Sequence, residues 1–257
     1  MYGESVFTTM RLLDGILLDW DLHYDRLHKG VEFLYGPFND GDDWPYKLKN
    51  RLEAKFLDLS GDKILRLSVY REQSRGLIRS GLISVTDLKI HLSNGPLDQS
   101  RYIDKTIKLR TCPAPVKAHW WPSFLKAGNY LETILAQKMY MRPGDDDVLF
   151  LSQDDTVLES SVANIFVVKH DKLYTAPLGP NVLDGVMRKK IIQSATEIFK
   201  DVDETETTME QLLKADAVFG CNSVRGPFIV DRIDDHDIKC NEDFKIEFER
   251  LKSLVFK

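Results

Sequence analysis

No glycine-rich nucleotide cradle occurs in the 257 residues. Neither G-x-G-x-x-G nor G-x-x-x-x-G-K-[S/T] is found, which argues against the usual dinucleotide and nucleoside-triphosphate sites. H-E-x-x-H is missing, and His23, His28, His91, His119, His170 and His236 each lack a second ligand at metal spacing, so no metal is expected. G-x-S-x-G is missing too, so there is no hydrolase elbow. Cysteine is scarce: Cys112, Cys221 and Cys240 are widely spaced, form no C-x-x-C and build no disulfide framework, and a reducing, cytoplasmic setting is the simplest expectation. No apolar run reaches ~18 residues, so no membrane span is expected. No signal-peptide pattern opens the chain. Basic residues show no excess: 35 Lys and Arg against 40 Asp and Glu leave a formal charge of −5, which argues against nucleic acid as a partner.

What is present is globular: 43% apolar and 29% charged residues. At ~150 residues per domain the length allows one to two domains, and such a chain buries roughly 70% of its unfolded surface without metal or disulfide support. Asp40, Asp42 and Asp43, and Asp145 to Asp147, read as solvated turns.

The pattern begins with a strand at 5–11, an Asp14-Gly15 turn and a second strand at 16–18, which together read as a hairpin. Leu22, Leu27 and Val31 recur at helical spacing, with His23 and Arg26 on a neighbouring stripe, until Gly36-Pro37 stops the helix. A polar loop at 39–44, a helix at 46–59, and strands at 64–70 (continuing past a kink at 75–78) and 88–92 follow. Residues 93–121 have little regular pattern. After them come helices at 129–140, 185–199 and 244–256, and strands near 148–151, 157–158, 165–168, 172–175, 217–219 and 229–233. Thr207 to Leu213 has Thr-x-x-Glu capping character. Strands and helices interleave without Rossmann regularity, so the expectation is a mixed α/β (α+β) fold in two domains, 1–112 and a larger 113–257.

Six segments then stand in a suggestive order: GESVFTT at 3–9, HYDRL at 23–27, LKAGNYLETILA at 125–136, LESSVANIFVV at 158–168, LDGVMRKKII at 183–192 and ADAVFGCNS at 215–223. Together they resemble the fold-type IV enzymes that use pyridoxal 5'-phosphate, a group that includes branched-chain and D-amino-acid aminotransferases and aminodeoxychorismate lyase. The resemblance implies that cofactor, a small N-terminal and a larger C-terminal domain, a small-molecule substrate and a homodimer. Trp20, Trp120 and Trp121 are the apolar surface candidates. Relatives usually begin further upstream, so either an edge strand is lacking or the recorded start is late.

Such a cofactor needs an amine for its Schiff base, an anion clamp for its phosphate and a group at its pyridine nitrogen. By the resemblance, Lys126 supplies the amine and then serves as the catalytic base and acid. Glu159 faces the pyridine nitrogen and keeps it protonated. Arg26 grips the phosphate with its planar fork, helped by the backbone N–H groups at Gly185, Val186 and Met187, where a helix opens. Ser223 adds a hydroxyl contact to the phosphate. Asn164 either bonds near the cofactor or supports its loop. Tyr130 either bonds near the ring hydroxyl or packs in the core. His23 reads as a satisfied structural histidine.

The reaction is read from finer detail. Asn129 stands three residues after Lys126, and Cys221-Asn222 precedes Ser223, both as in the lyase. Thr8 then orients substrate or relays a proton as the enolpyruvyl group leaves, and Arg75 binds a substrate carboxylate, unless these are an ordinary strand threonine and a surface arginine. Arg225 departs from the lyase's apolar run and is a candidate substrate contact. The expectation is 4-amino-4-deoxychorismate lyase, releasing pyruvate and 4-aminobenzoate, with an L- or D-amino-acid aminotransferase as the alternative.

Overall fold

A computed structural model describes residues 5–36, 44–71, 88–98, 105–113 and 122–256. Chain contacts divide it into two compact units, Met1–Gln99 with Phe124–Tyr130, and Ser100–Ser123 with Leu131–Lys257. The Lys126 segment therefore belongs with the first unit, although it follows residue 113 in sequence.

In the first unit, β1 (Ser5–Leu13) turns at Asp14-Gly15 into β2 (Ile16–Leu17). Asp14 and Gly15 have φ of 47° and 81°, the paired positive values of a tight hairpin turn, which an Asp-Gly pair adopts at little cost. Beyond it, α1 (Trp20–Tyr35) buries Trp20, His23, Leu27 and Val31 along one stripe and ends at Gly36, whose N–H bonds Glu32 O at 2.8 Å. α2 (Trp44–Phe56), β3 (Asp62–Arg71) and β4 (Leu88–Pro96) complete the unit. The sheet order is β2-β1-β3-β4, antiparallel throughout.

The second unit contains β5 (Ile107–Cys112), α3 (Leu131–Tyr140), β6 (Asp147–Leu151), β7 (Val157–Ser160), β8 (Asn164–Lys169), β9 (Lys172–Thr175), α4 (Val186–Ala195), β10 (Asp201–Glu204), α5 (Met209–Leu213), β11 (Ala217–Asn222), β12 (Gly226–Ile233), β13 (His236–Asp237) and α6 (Glu242–Val255). The pairing β8-β11-β12-β5-β6-β7 returns to β8, so the larger sheet is barrel-like. Leu109, Leu149, Val218 and Val230 fill one cluster. Phe166, Phe219, Phe244 and Phe248 form another with α4 and α6, the Phe166 and Phe219 rings stacking at 5.0 Å. Each buried ring contributes about 1.5–3 kcal/mol.

Several expectations change. β5 lies in the stretch read as irregular, because its Lys108 and Arg110 obscure the pattern. Arg110 is buried there by a two-point pair with Asp145 at 2.9 and 3.2 Å. Asp145 is thus no solvated turn residue. Burial alone would raise its pKa, but hydrogen bonds from Arg110 and the Arg142 N–H outweigh this and lower it. Asp147 is buried as well, bonded by Ser161. The capping box is Thr208 with Gln211, one residue later than read. β10 was not expected, and Trp20 is 3% exposed rather than a surface residue. Arg75, the strand at 75–78, Gly3 and Glu4, the loop at 39–43, and Trp120 and Trp121 lie outside the described residues.

Candidate active site

The side chain of Lys126 is placed by its own backbone. Phe7 N–H donates to Lys126 O at 2.9 Å, Val6 bridges Ala127, and Gly128 N–H donates to Ser5 O at 2.8 Å. Residues 126–128 thereby line the N-terminal half of β1. A β-carbon on Gly128 would meet Ser5 Oγ, so the two backbones approach closely there. Lys126 Nζ bonds the Tyr130 hydroxyl at 3.0 Å and stands 5.0 Å from the Phe7 ring centre. Tyr130 packs on the same ring at 5.6 Å.

Strand alternation decides what shares this face. Phe7 lies opposite Ser68, and Thr9 lies opposite Arg66. The Arg66 guanidinium sits 3.6 Å above the Phe7 ring centre. That partial desolvation lowers its pKa, while Tyr130 acts the other way, and it stays charged at ordinary pH. Arg66 was missed in the sequence. Its signal was the alternation of β3, which puts it on the same face as the hairpin's Phe7 and Thr9.

Thr8 points to the opposite side. It is 0% exposed, with Oγ1 2.6 Å from His23 Nδ1 and accepting from Arg26 Nη2 at 3.1 Å. His23 and Arg26 come from adjacent turns of α1 and are themselves buried.

In the second unit, Glu159 and Asn164 are register partners where β7 closes onto β8. Glu159 is buried, and its Oε2 accepts from Leu183 N at 2.9 Å and Asn164 Nδ2 at 3.3 Å. Asn164 Nδ2 also donates to Leu183 O at 2.8 Å. The next turn leads through Gly185 into α4, which no side chain caps among the described residues, so its first amides have no side-chain acceptor. Val186 and Met187, both 2% exposed, open that helix. Ser223 lies in the turn between β11 and β12, where Asn222 Oδ1 accepts from Val224 N and Arg225 N at 3.0 and 2.8 Å. Arg225 is engaged locally, bonded to the Lys105 carbonyl and 4.4 Å over the Phe228 ring. Thr8, Arg26, Lys126 and Tyr130 thus lie in the first unit, and Glu159, Asn164, Gly185, Val186, Met187, Ser223 and Arg225 in the second. Among the described residues no three His, Cys, Asp or Glu side chains gather as a metal site, and no helix is long and apolar enough to cross a membrane.

Gly185 offers a direct test. A β-carbon there would run into Asn164 Oδ1 and lie 3.4 Å from Arg188 Cβ. Asn164 is pinned through its amide nitrogen and cannot swing aside cheaply. Gly185→Ala is expected to cost about 1–3 kcal/mol by thermal or denaturant unfolding. An unchanged melting temperature would show that the cradle is loose.

An amine beside a phenol in the first unit, and a buried carboxylate with two donors and a helix start at Gly185 in the second, are groups of the kinds that pyridoxal 5'-phosphate requires. Similarity supports the fit. A protein of Thermotoga maritima named as a probable branched-chain-amino-acid aminotransferase is 33% identical over 232 residues, 90% of this chain and 78% of its own. Aminodeoxychorismate lyase of Vibrio harveyi is 27% identical over 228 residues, covering 88% and 81%. The crystal structure of 4-amino-4-deoxychorismate lyase from Pseudomonas aeruginosa superposes with a TM-score of 0.79 at 25% identity, over 98% of this chain and 91% of that one. The family described as amino-transferase class IV matches residues 5–233, a span that includes Lys126, Glu159 and Gly185, and the chain belongs to that family of fold-type IV, pyridoxal-phosphate-dependent enzymes.

Proposed function

We propose that this chain is an aminotransferase that takes the amino group from a small amino acid, branched-chain L- or D-, and passes it to a 2-oxo acid. The observation that carries this choice is the orientation of Thr8. A lyase reading needs an acid near the departing enolpyruvyl oxygen, and Thr8 was the residue suited to it. Its hydroxyl is instead committed to His23 and Arg26, on the face of β1 opposite Phe7. Aminotransfer asks less of the protein: one amine that moves a proton between two carbons, and a cation for the substrate carboxylate.

Lys126 is the base and acid of that proton movement, with the Tyr130 hydroxyl orienting Nζ. Arg66, stacked on Phe7, meets the substrate carboxylate through its planar fork. The Phe7 ring gives the apolar wall for a short side chain. When bound, pyridoxal phosphate supplies the electron sink for the carbanion. Arg26 and the amides at Gly185, Val186 and Met187 hold its phosphate with Ser223, and Glu159 holds a proton on the pyridine nitrogen. Asn164 fixes Glu159 and the Leu183 turn. Arg225 is left at the margin of the substrate site. The working form is a homodimer, as the resemblance implies.

The lyase is the second reading. The Lys126–Asn129 spacing, the Cys221-Asn222-Ser223 run and the likeness to the Vibrio harveyi and Pseudomonas aeruginosa lyases favour it. The test pairs two assays on cofactor-loaded protein. One offers branched-chain L-amino acids and D-alanine with 2-oxoglutarate or pyruvate. The other offers 4-amino-4-deoxychorismate alone. Amino transfer that requires the oxo acid supports our reading. Turnover to pyruvate and 4-aminobenzoate without any oxo acid overturns it in favour of the lyase.

A further inference from the structure

We propose that Thr8 and His23 are positioning residues for the cofactor's phosphate, forming a relay that fixes the fork of Arg26. This rests on the reading above in which Arg26 grips that phosphate. The three residues come from β1 and two successive turns of α1, with exposures of 0%, 1% and 5%. Their bonds meet on a single oxygen. Thr8 Oγ1 receives a hydrogen from Arg26 Nη2 at 3.1 Å and lies 2.6 Å from His23 Nδ1.

A hydroxyl has one hydrogen to give and two lone pairs to accept with. Arg26 can only donate. The network is consistent when Thr8 gives its hydrogen to a bare Nδ1, which assigns the ring proton of His23 to Nε2 and leaves the imidazole neutral. In the opposite arrangement Nδ1–H and Arg26 would both donate to Oγ1, and the hydroxyl hydrogen of Thr8, a side chain 0% exposed, would have no acceptor among the described residues. The relay therefore runs in one sense, from Arg26 to Thr8 to His23, and each bond polarises the next.

The consequence is geometric. A guanidinium is a rigid plane, so holding one corner fixes the direction of its other N–H groups. Arg26 then loses little freedom when it takes up an anion, which favours affinity. Neither Thr8 nor His23 touches the phosphate in this scheme.

The experiment compares pyridoxal phosphate with pyridoxal, which forms the same bond to lysine but lacks the phosphate. Affinities are measured by visible absorption and equilibrium dialysis. Thr8→Val keeps the shape and the strand preference but removes the hydroxyl. It is expected to weaken pyridoxal phosphate about tenfold and to leave pyridoxal nearly unchanged. Thr8→Ser should recover the wild-type value. Arg26→Gln should show the same selectivity more strongly, about a hundredfold. Nitrogen NMR of His23 in the unloaded protein should report the Nε2–H tautomer.

If Thr8→Val weakens both compounds alike, or neither, the relay is overturned and Thr8 is a packing residue. An Nδ1–H tautomer at His23 overturns it independently, even if the valine protein does not fold. If Arg26→Gln fails to separate the two compounds, it is the phosphate reading of Arg26 that falls, and the relay goes with it. A relay failure alone leaves Arg26→Gln selective and Thr8→Val silent.

Discussion

Lys126→Ala protein mixed with pyridoxal phosphate should stay colourless and should lose activity by about 10⁴-fold or more, since on the proposed reading it lacks the group that both links to the cofactor and moves the proton. The fold should survive. Lys126 is anchored by its backbone carbonyl to Phe7 N and by the Val6–Ala127 bridge, and neither contact uses its side chain. Lys126→Arg sharpens the test. It keeps a positive charge near Phe7 and Tyr130, but a guanidinium cannot form the imine bond, so it should be as inactive as alanine. Borohydride treatment followed by peptide mass analysis locates the bond. The wild-type protein should carry the reduced adduct on the peptide containing Lys126. An adduct on any other lysine, or normal colour in Lys126→Ala, would remove Lys126 from its role.

The parts of this site that could be read from the sequence are those set by local chemistry. The Asp14-Gly15 hairpin was legible because only a few residue pairs accept two positive φ values in succession. Helix α1 was legible from the stripe Leu27 and Val31, and the helix read over 244–256 is α6, which buries Phe244, Phe248 and Leu251. β5 was not, because a buried arginine reads as a surface residue until its partner is known, and Asp145 lies 35 residues away. The same limit applied at Thr8. The sequence pattern singled out Thr8 and left its neighbour Thr9 without a role. Pairing with β3 separates them, Thr9 opposite Arg66 and Thr8 closed under α1. Long-range register, which no local pattern encodes, settled which threonine shares a face with Phe7 and Arg66. The Glu159–Asn164 pair shows the reverse case. The resemblance named both residues, and the closure of β7 onto β8 explains why they act together.

Glu159→Gln is expected to lower kcat by about 10²–10³-fold while leaving stability and cofactor affinity close to wild type. Glu159 Oε2 accepts from Leu183 N at 2.9 Å and from Asn164 Nδ2 at 3.3 Å. A glutamine keeps one carbonyl oxygen for these donors, so the Leu183 turn and the start of α4 stay in place. What it loses is the negative charge that, on the proposed reading, holds a proton on the pyridine nitrogen, and with that proton goes much of the ring's power to withdraw electrons. Glu159→Ala differs. It strands the Leu183 and Asn164 donors in a buried setting, at a cost of about 1–3 kcal/mol, and it should loosen the Gly185 cradle and cofactor binding together. The pair of variants is therefore diagnostic: slow but stable for glutamine, slow and destabilised for alanine. Glutamine protein with wild-type kcat would mean that Glu159 is a structural acceptor only, and the group controlling the pyridine nitrogen would have to be sought elsewhere. Equal destabilisation in both would mean that the charge itself holds the turn, through a charge-assisted hydrogen bond from Leu183 N–H that a neutral oxygen cannot match.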